Sequence, residues 1–420
     1  MYQKTTLPNG LRIVTSTMPH TRSVSVIIFL GAGSRYETEA EAGISHFVEH
    51  LAFKGTHKRA TPKEISGAIE GVGGILNAST DREITTYWCK VALPHFPLAL
   101  DVLVDMLLNA KYDPKEMEKE RNVILEELNM VNDSPAQLVE VLIDEVVWPD
   151  QPLGRDVGGT KKSVNSITRK MIIDYVAQQY VYPNAVVSVA GDISHEHVVD
   201  AVQATLGQWS QGQPRRWFPA QDGQDNPRER LVSRETEQSH FCLAVRGLSL
   251  THPDRYALNL LNVILGEGMS SRLFLEIREK LGLAYNVQSY VNQFLDSGSV
   301  TIYAGVDPRR MRDALQATLV ELDRLKEEIP EEELVKAKEL TKGRMLLRME
   351  ESRSVAGWLG AQELLLNRIH TVDEVLSQVE AVSSEDVKRV AKELFLTEKL
   401  SLAVVGPYDK DTEFCSLLKL

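Results

Sequence analysis

Between Gly43 and Phe53 the chain reads Gly-Ile-Ser-His-Phe-Val-Glu-His-Leu-Ala-Phe. His46, Glu49 and His50 make a His-x-x-Glu-His pattern. On a helix, residues four apart leave the same face, so both imidazoles can grip one ion, with Glu49 at the edge of that face. Neutral imidazole is a good zinc ligand, and a catalytic zinc takes three protein ligands plus a water. A carboxylate beside that water can take its proton while the metal lowers its pKa toward neutrality. Phe47, Val48 and Leu51 supply the apolar side that would pack such a helix into a core. A His/Glu cluster on a solvated helix gives the same short match, so the reading requires a third ligand elsewhere.

The surrounding segments would have to position that helix. Leu11 to Val14 and the β-branched run Val24 to Leu30 predict strands, the second closed by Gly31-Ala32-Gly33-Ser34. After the His46 helix, Thr61-Pro62-Lys63-Glu64 predicts a new helix start, with Thr61 as N-cap and Glu64 completing a capping box. That helix stops at Gly71-Val72-Gly73-Gly74. Ile75 to Thr80 and Glu83 to Val91 follow as strands. In the first of these, Asn77, Ala78, Ser79 and Thr80 are small, polar and β-compatible. They suit an exposed edge to which an extended peptide could add by backbone pairing, and equally the arm of an ordinary hairpin. Helices are predicted over 97–108, 115–130, 136–147 and 168–180, and a buried strand over 185–190. On the 115–130 helix Glu120 and Glu127 lie seven apart and share a face, whereas Glu126 points away.

Composition narrows the class. The chain has 420 residues, 43% hydrophobic and 25% charged, with material for several ordinary globular cores. A net charge of −12 argues against a nucleic-acid binder. Cys89, Cys242 and Cys415 are few, odd in number and far apart, which points away from a disulfide scaffold and toward a reducing compartment. The N-terminus has no apolar signal core, and no apolar run reaches the ~20 residues of a membrane helix. A cytoplasmic protein, with no membrane association, is the expectation.

The second half repeats the first. Val189-Ala190-Gly191 matches Val404-Val405-Gly406 at an offset of 404 − 189 = 215, and the strand Val26 to Leu30 falls on Phe241 to Val245 at the same offset. A stretch rich in Gln, Pro and Gly between Gly207 and Arg230 separates the copies. The expected organisation is α+β, with two duplicated, similar domains, each a mainly antiparallel sheet packed with helices. The domains would be 1–208, carrying the metal motif, and 230–420, with 209–229 as linker. At the offset of 215, His46, Glu49 and His50 land on Leu261, Ile264 and Leu265, and Glu127 on Lys342. The second copy thus carries no ligand candidates at those positions, which suggests that the first copy's polar trio serves chemistry.

These features together resemble the pitrilysin- or insulysin-type zinc metallopeptidases, most closely the small processing-peptidase branch. The resemblance runs over nearly the whole chain. It includes Leu7 to Leu11, Gly31 to Glu37, His46 to Thr56, Gly73 to Tyr87, Glu120 to Met130 and Gly268 to Leu273. It implies one Zn2+ per chain. It implies Glu127 as third ligand, at 127 − 50 = 77 residues beyond the second histidine, with Glu126 the adjacent alternative and the seven-residue relation to Glu120 favouring Glu127. Glu120 would be an auxiliary carboxylate that orients a ligand. Arg278 and Tyr285 match the family's substrate-holding Arg/Tyr pair, and Asn77 to Thr80 its substrate-binding edge strand.

The function implied is a zinc-dependent endopeptidase acting on peptides or unfolded, presequence-like segments held extended, with Glu49 as general base. The competing class is a non-catalytic or partner-dependent assembly subunit of a processing-peptidase-like complex. By resemblance, a chain of this length should pair, as a homodimer or with a similar subunit, so that Arg278 and Tyr285 of one chain complete the zinc site of the other.

Overall fold

The computed structural model describes residues 2–409 and 411–420. It contains two sheets, each in its own compact unit. The first sheet uses β1 (Gln3–Thr6), β2 (Arg12–Thr17), β3 (Ser23–Leu30), β4 (Ile75–Thr80), β5 (Thr85–Ala92) and β6 (Ala185–Gly191), in the spatial order β1-β2-β6-β3-β5-β4. Only the β2–β6 pair is parallel. The second sheet uses β7 (Arg228–Ser233), β8 (Ser239–Arg246), β9 (Ala284–Gln293), β10 (Gly298–Val306) and β11 (Ser401–Gly406), in the order β7-β11-β8-β10-β9, with β7–β11 parallel. The expected fold class, two similar mainly antiparallel α+β domains, is what the structure shows.

The compact units are not the contiguous 1–208 and 230–420 blocks. The first comprises the chain up to Leu128, Asp156–Phe218 and Leu346–Thr371; the second comprises Asn129–Arg155, Pro219–Met345 and residues from Val372 onward. The change at Phe218/Pro219 does fall inside the segment read as a linker. The exchange of the other segments has a physical reason. Central strands such as β3 and β6 are buried on both faces, so each sheet needs a second apolar cover. In the first unit Val26, Ile28 and Leu30 pack beneath Phe47, Val48 and Leu51. On the other face Ile27, Phe29 and Val186 meet Val355, Ala356 and Leu359 of the Ser352–Leu366 helix. That helix sits so close to the sheet that a Cβ at Gly360 would lie 2.2 Å from the Phe29 ring. The second unit mirrors this arrangement. Cys242, Ala244 and Val405 are covered by Val139, Leu142 and Ile143 of the Pro135–Val147 helix.

Two smaller departures concern boundaries. β1 is an additional strand ahead of the expected first one, and its mixed polar sequence carries little strand signal. The 208–227 stretch has no helix or strand, but the last two residues of the expected 209–229 linker belong to β7. Among the described residues no helix is long and apolar enough to cross a membrane.

Candidate metal centre

The helix Ile44–Ala52 begins at Gly43, whose φ of 91° lies in the left-handed region that glycine tolerates. A Cβ there would also lie 2.5 Å from the Gly158 carbonyl oxygen. No side chain caps the helix from the N-cap position. Instead the buried Glu37 carboxylate accepts from the Gly43 and Ser45 amides and from Ser45 Oγ, satisfying the free N–H groups with a charge that favours the helix N-terminus. Phe47, Val48 and Leu51 are buried in the core, whereas His46, Glu49 and His50 are only partly buried and share the opposite side.

His46 Nε2 and His50 Nε2 lie 3.1 Å apart. Glu127, on the Pro114–Asp133 helix, places Oε2 at 3.8 Å from the first and 3.6 Å from the second. His46, His50 and Glu127 form a cluster whose ligand atoms all lie within 4.8 Å of one another. Two bonds of about 2.05 Å at a tetrahedral angle separate donor atoms by about 3.3 Å, so the set matches a zinc ion closely. Glu126, one residue earlier, is exposed and outside the cluster.

The tautomers agree with this. His50 Nδ1 lies 3.1 Å from Glu120 Oε2 and, since a carboxylate only accepts, must carry the proton. Its Nε2 lone pair therefore faces His46 and Glu127. Glu120 is itself fixed by Lys54, at 2.7 Å. Burial, then the neighbouring His50, bring the His46 pKa down to about 4, which keeps that ring neutral and available as a donor. Burial also pulls His50 down, but the Glu120 bond and the charges of Glu127 and Glu49 outweigh it and leave its pKa raised. Three carboxylates beside one ammonium and two imidazoles make a site that attracts a divalent cation.

Glu49 accepts from Thr80 Oγ1 at 2.5 Å. Burial pushes its pKa above the usual carboxylate value, against the opposing pull of Thr80 and His50. Thr80 ends β4, which occupies the edge of the sheet, as expected. Along β4 Leu76, Ala78 and Thr80 are half-buried while Ile75, Asn77 and Ser79 are exposed, so the strand turns one face to the metal cluster and the other away. Arg278 lies in a π-helical turn, Phe274–Lys280, and stacks its guanidinium on Phe274 and Tyr285, each at 4.7 Å. Tyr285, near the start of β9, is 77% exposed.

Three residues of this arrangement were not singled out from the sequence. Lys54 lies four after His50 and could have been found from that spacing. Glu37 caps the helix from six and eight residues before the amides it accepts from, outside the usual cap positions, and Gly158 acts across a long separation in the chain and carries no local signal. His195 is tied on both ring nitrogens to the Thr5 and Thr15 hydroxyls, at 2.7 and 2.8 Å.

Over the metal helix the two copies register at an offset of 213, not 215. Leu261 and Leu265 pack in the second core, with Ile264 beside them. The side of the Arg255–Gly266 helix that faces a cavity of about 520 Å³ presents Asn259, Asn262 and Val263, with Leu340 opposite. These match His46, Glu49, His50 and Glu127 at 259 − 46 = 213 and 340 − 127 = 213. A two-residue slip between the repeats moves the leucines into the core. Asn262 Oδ1 accepts from Ser289 Oγ of the edge strand β9 at 2.7 Å, as Glu49 accepts from Thr80.

Comparison with known proteins agrees with this division. Residues 12–161 match the family model "Insulinase (Peptidase family M16)", and residues 166–341 match "Peptidase M16 inactive domain". The chain is 37% identical to "Uncharacterized zinc protease YmxG" of Bacillus subtilis (strain 168), over 97% of this chain and 98% of that one. It is 39% identical to an uncharacterized zinc protease of Streptomyces coelicolor, over 96% of this chain and 89% of the other. A protease from Helicobacter pylori of known crystal structure superposes with a TM-score of 0.92 at 27% identity, covering 97% and 99% of the two chains. A chain of complex III2 from Candida albicans shares the fold, with a TM-score of 0.85 at 21% identity, and covers 100% of both. The chain belongs to peptidase family M16, and the Bacillus and Streptomyces relatives are called zinc proteases.

Proposed function

We propose that the protein is a zinc-dependent endopeptidase that cleaves peptides or unfolded segments bound in extended form. The observation that carries this reading is the joining of two features on one helix. His46 and His50 converge with Glu127 on one point, and Glu49 beside them is hydrogen-bonded to the edge strand where a peptide would pair. When bound, the zinc supplies an acidified water and a Lewis acid for the scissile carbonyl.

The chain's own residues do the rest. Glu49, desolvated and steered by Thr80, takes the attacking water's proton and delivers it to the leaving amine. Glu120 fixes the His50 tautomer. The open edge of β4 from Asn77 to Thr80 offers backbone N–H and C=O groups to an extended substrate. Tyr285 donates its phenol to the developing oxyanion and Arg278 holds a substrate carbonyl. We assign these two residues to the site of a second chain in a dimer, of two copies or with a similar subunit. A mixture of His46→Ala and Tyr285→Phe proteins should then regain activity that neither has alone. No regain after confirmed subunit exchange excludes the shared site.

The primary test pairs metal content with cleavage of a quenched peptide library, on wild type and Glu49→Gln. One zinc per chain in both, with turnover only in wild type, is the expected result. Zinc without turnover in wild type would transfer the weight to an assembly subunit.

A further inference from the structure

The face of β4 turned away from the metal cluster leads to a second feature. Trp88 and Thr86 of β5 pair with Asn77 and Ser79 of β4, and Thr86 and Ser79 share a hydroxyl hydrogen bond of 2.8 Å. Residues opposite one another on paired strands share a face, so the exposed Ile75, Asn77 and Ser79 border the same surface as Trp88. On that surface lies a cavity of about 250 Å³, floored by Ile27, Phe29 and Trp88 and walled by Arg348, Arg353 and Ser354. Among the described residues no carboxylate lines it. Arg353 lies over the Trp88 ring at 3.7 Å, and neither arginine has an ion-pair partner among the described residues. The neighbouring carboxylate, Glu351, is already engaged by Lys90 at 2.6 Å and by the Arg353 and Ser354 amides. A chain of net charge −12 thus holds a local, uncompensated pair of guanidinium groups beside an aromatic floor.

We propose that this pocket is a specificity subsite that receives an aspartate or glutamate side chain from a peptide bound along β4. The carboxylate would sit on Arg348 and Arg353 and the methylene stem on Trp88. The proposal rests on the reading that substrate pairs with β4. A strand added there lies two strand spacings, about 9.6 Å, from β5, a gap that a long acidic side chain and an arginine span together. Its side chains alternate between the metal face and the arginine face. The acidic preference therefore falls on one position, or on two positions separated by one residue, and never on adjacent positions.

The test uses the full-length zinc-loaded protein and a neutral parent peptide with Glu, Gln or Lys placed at each position in turn. We expect Glu to exceed Gln in kcat/KM by about 5–10-fold at the subsite position. The advantage should shrink as salt rises. Combined Arg348→Glu and Arg353→Glu substitution should reverse the order, so that Lys exceeds Glu. If that variant fails to fold, Arg353→Gln alone, at an exposed position, should cut the Glu advantage at least threefold. Cleavage of neutral peptides with Glu and Gln equal at every position overturns the subsite and leaves the peptidase standing. So does a Glu preference that survives charge reversal. Fluorescence anisotropy of the labelled Glu and Gln peptides on Glu49→Gln protein reads the pocket without turnover. Tighter, arginine-dependent binding of the Glu peptide with no cleavage by wild type would keep the pocket and remove the peptidase reading. Equal binding overturns the pocket.

Discussion

The helices Ile44–Ala52 and Arg255–Gly266 occupy the same place in the two halves, each following the central strand of its sheet and each beside an edge strand. The first presents His46, Glu49 and His50; the second presents Asn259, Asn262 and Val263. Both retain a bond from an edge-strand hydroxyl, Thr80 to Glu49 and Ser289 to Asn262. One pair contains a carboxylate with a raised pKa, and the other an amide that cannot take a proton. Opposite Glu127 in the first half stands Leu340 in the second. The fold therefore tolerates either chemistry at this position. What it requires is a helix with one apolar side and a polar tie to the edge strand, and only the first copy adds donors for a metal.

The largest effect is expected at the metal. His46→Ala removes a donor that its counterpart Asn259 never supplied, and zinc measured by atomic absorption should fall from one per chain toward none, with cleavage lost. Retained stoichiometric zinc would place the metal elsewhere. Glu49→Gln converts the proton acceptor into the kind of amide found at Asn262. Turnover should drop by about 10³-fold while zinc stays bound.

A smaller effect is expected at Glu120, which acts through His50. Glu120→Gln should weaken zinc affinity by about 10–100-fold in a chelator competition, because the His50 ring loses its charged orienting partner. On the other side of the comparison, Asn262→Leu should leave zinc and kcat unchanged. It removes the Ser289 side-chain bond in a buried site at a cost of about 1 kcal/mol, since Ser289 Oγ keeps the Asn262 carbonyl as acceptor. A fall in Tm of about 2–4 °C is the measurable consequence. Loss of turnover in that variant would mean the second copy takes part in chemistry.

The smallest effect lies at Glu351, the N-cap of the helix that covers the outer face of the first sheet. Burial raises its pKa, but the Lys90 bond and the Arg353 and Ser354 amides win and lower it to about 2. A carboxylate with a depressed folded pKa stabilises the fold above its unfolded pKa and ceases to do so as pH falls through the folded value. Glu351→Gln should therefore lower Tm by a few degrees at pH 7, a difference that closes between about pH 4.5 and pH 2.

Much of this molecule is written locally. Period-four spacing put His46 and His50 on one face, period seven put Glu120 and Glu127 on another, and β-branched runs marked β3, β5 and β6. The duplicated architecture was legible because strands keep their hydrophobic pattern through divergence. The small polar residues of β4 suited an exposed edge and an ordinary hairpin arm equally, and the strand order puts β4 at the edge. Where sequence reasoning slipped, the cause was distance along the chain. A fixed offset cannot register a two-residue slip in a helix, so core leucines stood in for Asn259, Asn262 and Val263. The helices Pro135–Val147 and Ser352–Leu366 carry nothing that names the sheet each must cover; that choice is made by which two-sided apolar sheet remains open. Gly158 pressed against the start of the metal helix and Arg353 lying over Trp88 are pairings between residues far apart in sequence. Sequence alone determined the donors and their spacing, because a helix turn fixes neighbours three and four apart. Only the tertiary structure brought Glu127 to the two histidines and decided which arginines face the open edge, because those contacts exist only once the sheets have been covered.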